Sequence, residues 1–332
     1  MRQGMKVSPR VRAHSPAGAQ HSLAGAAGRA SAPPFGAHVP TAAIILISSS
    51  VLCFTILDAI TKFMTQRYSI PLLVWARYGV QFVAMLVWLG PSMRLDLVRT
   101  QRLRFQAFRG VLLLASSLFF VNALRSLPLA EATALNYSTP IIVVLMGRLV
   151  LRERLTQARL AFVAVGVAGM LMIVQPGSDV FHGAALFGLG AAIFYACYQI
   201  TTRMLAGEDP RVLLFYPALM GTVIMSALAP GFDWPPSMPW THVLLIVCGG
   251  LFGTLGHFLF ILAFRLAPAS ALTPFTYTQL VWAMLLGWFL YGDFPNGYRI
   301  GGMAVIAGSG LLMMLHERRR ARLVAIDPVT VQ

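Results

Sequence analysis

The chain has 332 residues, 57% of them hydrophobic and only 11% charged, with a mean hydropathy of +0.71. A soluble domain carries about a quarter charged residues, so this composition excludes an ordinary water-exposed fold, and its long continuous apolar runs exclude the alternating strands of a membrane barrel. The formal net charge of +15 would suit a nucleic-acid binder, but the basic residues sit in short segments between apolar runs, which is a pattern of membrane topology.

Residues 1–40 form a polar stretch rich in Ala, Gly, Ser, Pro and His. It lacks the apolar region of a signal peptide and is expected to be a disordered cytoplasmic tail, or the product of an upstream start site. Ten apolar runs follow, at about 41–64, 71–90, 107–127, 129–150, 158–175, 183–204, 212–230, 241–264, 270–291 and 298–316. Breakers punctuate them: "SIP", "QPGSD", "GEDPR" and "PGFDWPPSMP". Residues 317–332 form a second cytoplasmic tail. With the N-terminus inside, most of the 26 basic residues fall in the inside segments, among them Arg94, Arg99, Arg102, Arg104, Arg109, Arg148, Arg152, Arg154, Arg203, Arg211 and Arg265. That bias puts both termini in the cytoplasm and the spans in the inner (plasma) membrane. Cys53, Cys197 and Cys248 all lie within spans, form no CxxC and read as small packing residues.

Polar residues inside spans are costly and tend to face the bundle interior or a cavity. The first span carries Asp58 and Lys62 one helical turn apart, and the second carries Arg77. Asp58 is expected to pair with Lys62 or Arg77, as a gate or a proton-coupling group. Ser116, Ser117 and Asn122 add hydroxyls and an amide to the third span. In the fourth, Glu131 is either a carboxylate at a helix N-terminus or a site for a proton or cation. Pro140 cannot donate to the carbonyl of Asn136, so Asn136, Tyr137 and Thr133 are expected at a kink near the membrane midplane. Tyr195, Tyr198, Gln199 and Thr202 make one polar stripe on the sixth span. His257 lies deep in the eighth, and Thr273, Tyr277, Gln279 and Trp282 are spread over the ninth. These residues are candidates for lining a substrate site, Tyr137 and Tyr277 above all, with hydrogen bonding between helices as the alternative; for His257 a proton relay stands against a packing role.

The chain repeats itself after 140 residues without a gap. "RSLPLAEATALNYSTP" from Arg125 meets "RLAPASALTPFTYTQL" from Arg265. Arg125 pairs with Arg265, Pro128 with Pro268, Thr133 with Thr273 and Tyr137 with Tyr277. Further on, Gly147 meets Gly287, Glu153 meets Asp293 and Arg159 meets Arg299; earlier, Ile60 and Thr61 meet Ile200 and Thr201. Five spans per copy is odd, so the second copy enters the membrane inverted, the architecture of many secondary transporters. The two copies diverge at Glu131/Ala271, Asn136/Thr276 and Pro140/Leu280.

These stretches resemble the drug/metabolite transporter superfamily, EamA-type. The marks are "LRSLPLAEATALNYSTPI", "LVLRERLTQARLAFVAVGVAGMLMIVQPG" and "APASALTPFTYTQLVWAMLLGWFLYGDFPNGYRIGGMAVIAGSGLL". The resemblance covers residues 41–316 and implies a ten-helix permease. "PFTYTQLVWAMLLGW" is similar to a branch containing riboflavin and S-adenosylmethionine carriers. Asp293 stands where a glutamate is usual, and Leu280 where a proline is often found.

The expected fold is an all-α polytopic membrane protein with ten transmembrane helices in two five-helix inverted repeats, 41–176 and 182–316. The expected function is secondary transport of a small organic solute by alternating access, proton-coupled or by exchange. A vitamin or cofactor uptake carrier is one alternative, and a non-transporting sensor or assembly protein another. No Walker, HExxH or GxSxG motif is visible, so neither an ATP-driven pump nor an enzyme is expected, although Asp58, Glu131 and His257 could be brought together in an intramembrane one. No cofactor and no metal is called for. The expected partners are a small-molecule solute and the lipid bilayer, not nucleic acid, with a homodimer left open.

Overall fold

The computed structural model describes residues 40–150, 157–175, 183–205, 207–267, 272 and 275–326. The tail 1–39, the first-repeat loop with Glu153, and Ala271 and Thr273 of the ninth span lie outside the described residues. The helices are α1 (Thr41–Thr65), α2 (Ile70–Met93), α3 (Leu103–Ser126), α4 (Leu129–Asn136), α5 (Thr139–Val150) and α6 (Gln157–Val174). They continue with α7 (Ala184–Met204), α8 (Pro210–Leu228), α9 (Trp240–Leu266), α10 (Thr278–Tyr291) and α11 (Gly297–Ile326). Among the described residues there is no strand. Among the described residues, eight segments are long and apolar enough to cross a bilayer, the joined α4–α5 segment Leu129–Met146 among them. The shorter apolar helices Leu160–Val174 and Thr278–Tyr291 stand at the fifth and ninth positions.

Local chemistry sets the ends. Pro128 and Pro239 precede α4 and α9, and "DPR" starts α8 with Asp209 as N-cap and Pro210 in the first turn. The Asp209 carboxylate accepts the Arg211 backbone N–H at 2.8 Å. The same arginine's guanidinium holds that carboxyl below the usual aspartate range. The last helix runs past the expected end at 316 to Ile326, because "HERRRARL" contains good helix formers and no breaker.

The exterior of the fold is apolar, and several polar residues lie inside beside a hydrophobic core. Val87, Trp88, Phe108, Leu186 and Phe289 are exposed, while Ser50, Thr55, Gln106 and Arg109 are buried. That is the distribution of a bundle solvated by hydrocarbon. Small residues permit close helix contact. The Ser50 hydroxyl reaches the Gly256 carbonyl at 2.7 Å between α1 and α9, and Gly221 of α8 lies flat against the Tyr78 ring of α2.

Helix packing follows the repeat. The most extensive pairings are α1 with α9, α3 with α7 and α6 with α11. Exchanging the halves converts the first into the second and returns the third to itself. The pairs α2–α9 and α3–α8 interchange in the same way, and α2–α8 maps onto itself. The register is also visible in single bonds. Thr61 donates to the Leu57 carbonyl at 2.8 Å, and Thr201 to that of Cys197 at 2.8 Å. The Leu127 N–H caps α3 on Ala123, as the Ala267 N–H caps α9 on Ala263.

A Cβ at Gly221 would run into the Tyr78 ring, whereas one at Gly79 meets nothing within 4 Å. Gly221→Ala is therefore expected to cost about 1–3 kcal/mol by overpacking. Gly79→Ala, in the interior of α2, should leave stability unchanged or raise it by up to about 1 kcal/mol. Thermal unfolding of the two purified variants in detergent checks the contrast.

Candidate functional site

The fourth span breaks where Pro140 requires it. α4 ends at Asn136 and α5 starts at Thr139, and the carbonyl that lost its partner, that of Asn136, accepts the Thr139 hydroxyl at 2.6 Å. A second proline acts in the same way in α8. Pro217 cannot donate to Leu213, and the freed Leu213 carbonyl accepts the Arg109 guanidinium of α3. Arg109 also donates to Thr202 Oγ1 at 3.2 Å and lies 5.1 Å from the Tyr198 ring centre. It is 0% exposed, so this arginine belongs to the interior rather than to a loop.

Tyrosines converge at the break. The rings of Tyr137 and Tyr277, matched in the repeat, meet at 5.1 Å. The Tyr137 hydroxyl donates to the Thr276 carbonyl at 2.6 Å and lies 3.0 Å from Gln279 Oε1. Tyr195 and Tyr198 stack at 5.6 Å with an interplanar angle of 16°. Across from them, Tyr78 and Ser117 share a 2.9 Å hydrogen bond. The Asn136 Oδ1 and Trp282 Nε1 atoms are buried without a partner, and Gln199 is half-buried and makes no hydrogen bond among the described residues. Thr133 is turned to its own helix, donating to Leu129 at 2.8 Å.

The charged residues separate into two groups. Asp58 does not pair with Lys62 as the one-turn spacing suggested. The Lys62 ammonium instead reaches the carbonyls at the end of α3, Leu127 at 2.7 Å and Leu124 at 3.4 Å, and lies 3.9 Å from Asp293. Those carbonyls lie in the last turn of the helix, which favours a cation. Glu131 pairs with Arg299 at 2.5 Å, their side chains 3% and 14% exposed. Asp293 and Arg299 were not among the residues expected at the site. Their partners lie in the other repeat, and the only sequence signals were the repeat matches to Glu153 and Arg159.

Asp58 is 6% exposed and makes no hydrogen bond or ion pair among the described residues. Arg77 acts on it electrostatically but does not come within ion-pair distance, and acts in the same way on His257. His257 packs edge-on against Phe54 at 4.9 Å. It borders a cavity of about 200 Å³ whose other walls include Trp88, Thr254 and Phe258, with Arg211 and Arg265 also lining it. The end of α2 and the basic ends of α8 and α9 surround this space. Among the described residues, no group of three or more His, Cys, Asp or Glu could hold a metal.

The arrangement is a tyrosine-rich, partly unsatisfied polar centre at a broken span between two halves. It suits binding and release of an organic solute. Comparison with known proteins gives the same direction. A riboflavin transporter of Rhizobium johnstonii is 30% identical over 82% of this chain and 90% of its own length. A riboflavin transporter of Vibrio cholerae is 26% identical over 86% and 97%. An S-adenosylmethionine uptake transporter of Rickettsia bellii is 25% identical over 67% and 76%. A solved crystal structure with 21% identity superposes with a TM-score of 0.58, covering 84% of this chain and 98% of its own, which supports the fold alone. The model of the EamA-like transporter family matches twice, at residues 41–175 and 182–315, and the chain belongs to that family.

Proposed function

We propose that the protein carries a vitamin- or cofactor-sized organic solute across the inner membrane by alternating access, with its basic face in the cytoplasm. The observation that carries this reading is the polar centre at the broken fourth span, where tyrosines of both repeats meet. The relatives named for riboflavin and S-adenosylmethionine support the solute class.

The ion pairs support a closed face opposite the basic one. Lys62–Asp293 and Glu131–Arg299 each join the first repeat to the second. The Tyr291 hydroxyl, donating to the Ala59 carbonyl at 2.6 Å, adds a third tie. The repeat counterparts of these four charges are Thr202, Glu153, Ala271 and Arg159. The sequence therefore does not provide the same quartet at the basic face. The cavity beside His257 lies toward that less tied side. In this reading Lys62 and Glu131 hold the outer gate, and solute passage outward breaks both pairs.

Proteoliposomes holding the protein should show saturable flux of riboflavin or S-adenosylmethionine; the absence of flux across a panel of flavins, nucleosides, amino acids and organic cations would overturn the transport reading. Under an imposed pH gradient, accumulation that survives in both Asp58→Asn and Glu131→Gln would remove both carboxylates as proton carriers.

Glu131→Gln leaves Arg299 buried without its counter-ion and is expected to destabilise the protein by about 3 kcal/mol. Exchanging the charges, Glu131→Arg with Arg299→Glu, should recover part of that loss in detergent unfolding. Equal stability of the wild type and the single variant would show that the pair does not hold the gate.

A further inference from the structure

The transport reading leaves open what holds the tyrosine stack of α7 in place, and one buried arginine bears on that. Arg109 of α3 is 0% exposed. Its guanidinium donates to the Leu213 carbonyl of α8 and, at 3.2 Å, to Thr202 Oγ1 of α7, and it lies over the Tyr198 ring at 5.1 Å. These partners are neutral. A charge inside a span is costly, which argues for a role beyond helix contact.

The Thr202 hydroxyl extends the arrangement. Its one proton is donated to the Tyr198 carbonyl at 2.7 Å, and its oxygen accepts from Arg109. The Leu213 carbonyl, the guanidinium, the Thr202 hydroxyl and the Tyr198 carbonyl form one chain of hydrogen bonds from α8 to the backbone of Tyr198. The guanidinium also covers the ring of that tyrosine, so Tyr198 is held at its backbone and at its face. Tyr198 stacks on Tyr195 at 5.6 Å. Tyr195 lies one turn from Ala192, whose carbonyl is 3.5 Å from the Thr139 hydroxyl at the break of the fourth span. Along α7, the stack therefore stands between the break and Arg109.

The repeat marks the arginine as an addition. A Cβ at Gly110 would lie 2.6 Å from the Met220 Cβ of α8, and one at the matched Gly250 would lie 2.6 Å from the matched Val80 Cβ of α2. This helix crossing is common to both copies. Beside it, Arg109 is matched by Gly249, Thr202 by Lys62 and Tyr198 by Asp58. A glycine is enough to close the crossing. The arginine stands only at the crossing that has the tyrosine stack next to it.

We propose that Arg109 is a positioning residue for solute recognition: through Thr202 and the Tyr198 ring it fixes the Tyr195–Tyr198 stack, whose faces receive a planar solute. Arg109 itself touches no solute. This deepens the transport reading above and rests on it.

The test is flux of riboflavin, with S-adenosylmethionine as second probe, into proteoliposomes holding the full chain. It is read as KM and as Vmax per folded transporter, beside thermal unfolding in detergent. Thr202→Val keeps the shape and removes the link; its KM should rise about tenfold with Vmax nearly unchanged, the scale of one hydrogen bond to a charged group. Thr202→Ser keeps the hydroxyl and should restore the wild-type KM. Thr201→Val removes a bond of the same kind, to the Cys197 carbonyl at 2.8 Å, without touching Arg109, and should leave KM unchanged. Arg109→Lys keeps the charge but not the fork that reaches two acceptors, so its KM should also rise. The double variant Arg109→Lys with Thr202→Val should be no worse than the poorer single one. A role in stability alone would lower the unfolding temperature and the amount of active protein and leave KM in place. If Arg109→Lys does not fold, the Thr202 series decides. A wild-type KM in Thr202→Val or in Arg109→Lys, or losses that add in the double variant, would overturn the inference and leave the transport reading standing. Flux of another solute of the panel but of neither probe would do the same; no flux of any solute would overturn both.

Discussion

Two prolines remove backbone N–H groups deep inside the bundle, and the polar centre is organised around the carbonyls they release. In hydrocarbon no water can take the place of the missing donor. Pro140 releases the carbonyl of Asn136, which takes the Thr139 hydroxyl. Pro217 releases that of Leu213, which takes the guanidinium of Arg109. The first requirement ends α4 beside Tyr137 and turns the chain there. The second draws a fully buried arginine between α7 and α8, under the stacked Tyr195 and Tyr198 rings. Backbone accounting thus fixes where the aromatic groups stand before any solute is considered.

The repeat supplies the frame and its exceptions supply the chemistry. Thr61 and Thr201, or the caps of α3 and α9, make the same bonds in each copy. Tyr137 and Tyr277 meet each other across the two copies. Asp58, Lys62 and Glu131 have the neutral counterparts Tyr198, Thr202 and Ala271. A symmetric scaffold can rock between two equivalent forms, and unmatched charges make those forms chemically different.

Much of this frame was legible in the sequence, because it depends on near-neighbour rules. Hydropathy gave the segments, the 140-residue register gave the tyrosine pair, and the missing proline N–H gave the break at Asn136. The charge partners were less legible. Glu131 and Arg299 are separated by 168 positions, and spacing along one helix carries no information about such a meeting. Spacing even misdirected the reading of Lys62. Asp58 lies one turn away, but the carbonyls in the last turn of α3 make a better set of acceptors. Arg109 was read as a loop charge, although Pro217 marked a carbonyl in need of a donor. That signal could have been used, since it follows from the proline rule alone.

The two cross-repeat ion pairs are also wired with opposite polarity. The first repeat contributes the cation Lys62 to one and the anion Glu131 to the other, and the second repeat contributes Asp293 and Arg299 in return. Each half therefore holds one positive and one negative member, with no net charge in these pairs. A charge displaced through the full field gains about 2.3 kcal/mol per 100 mV, and here the contributions of the two members on each half oppose one another. In the transport cycle proposed above, parting the halves at this face is nearly electroneutral, so the membrane voltage acts little on these ion pairs.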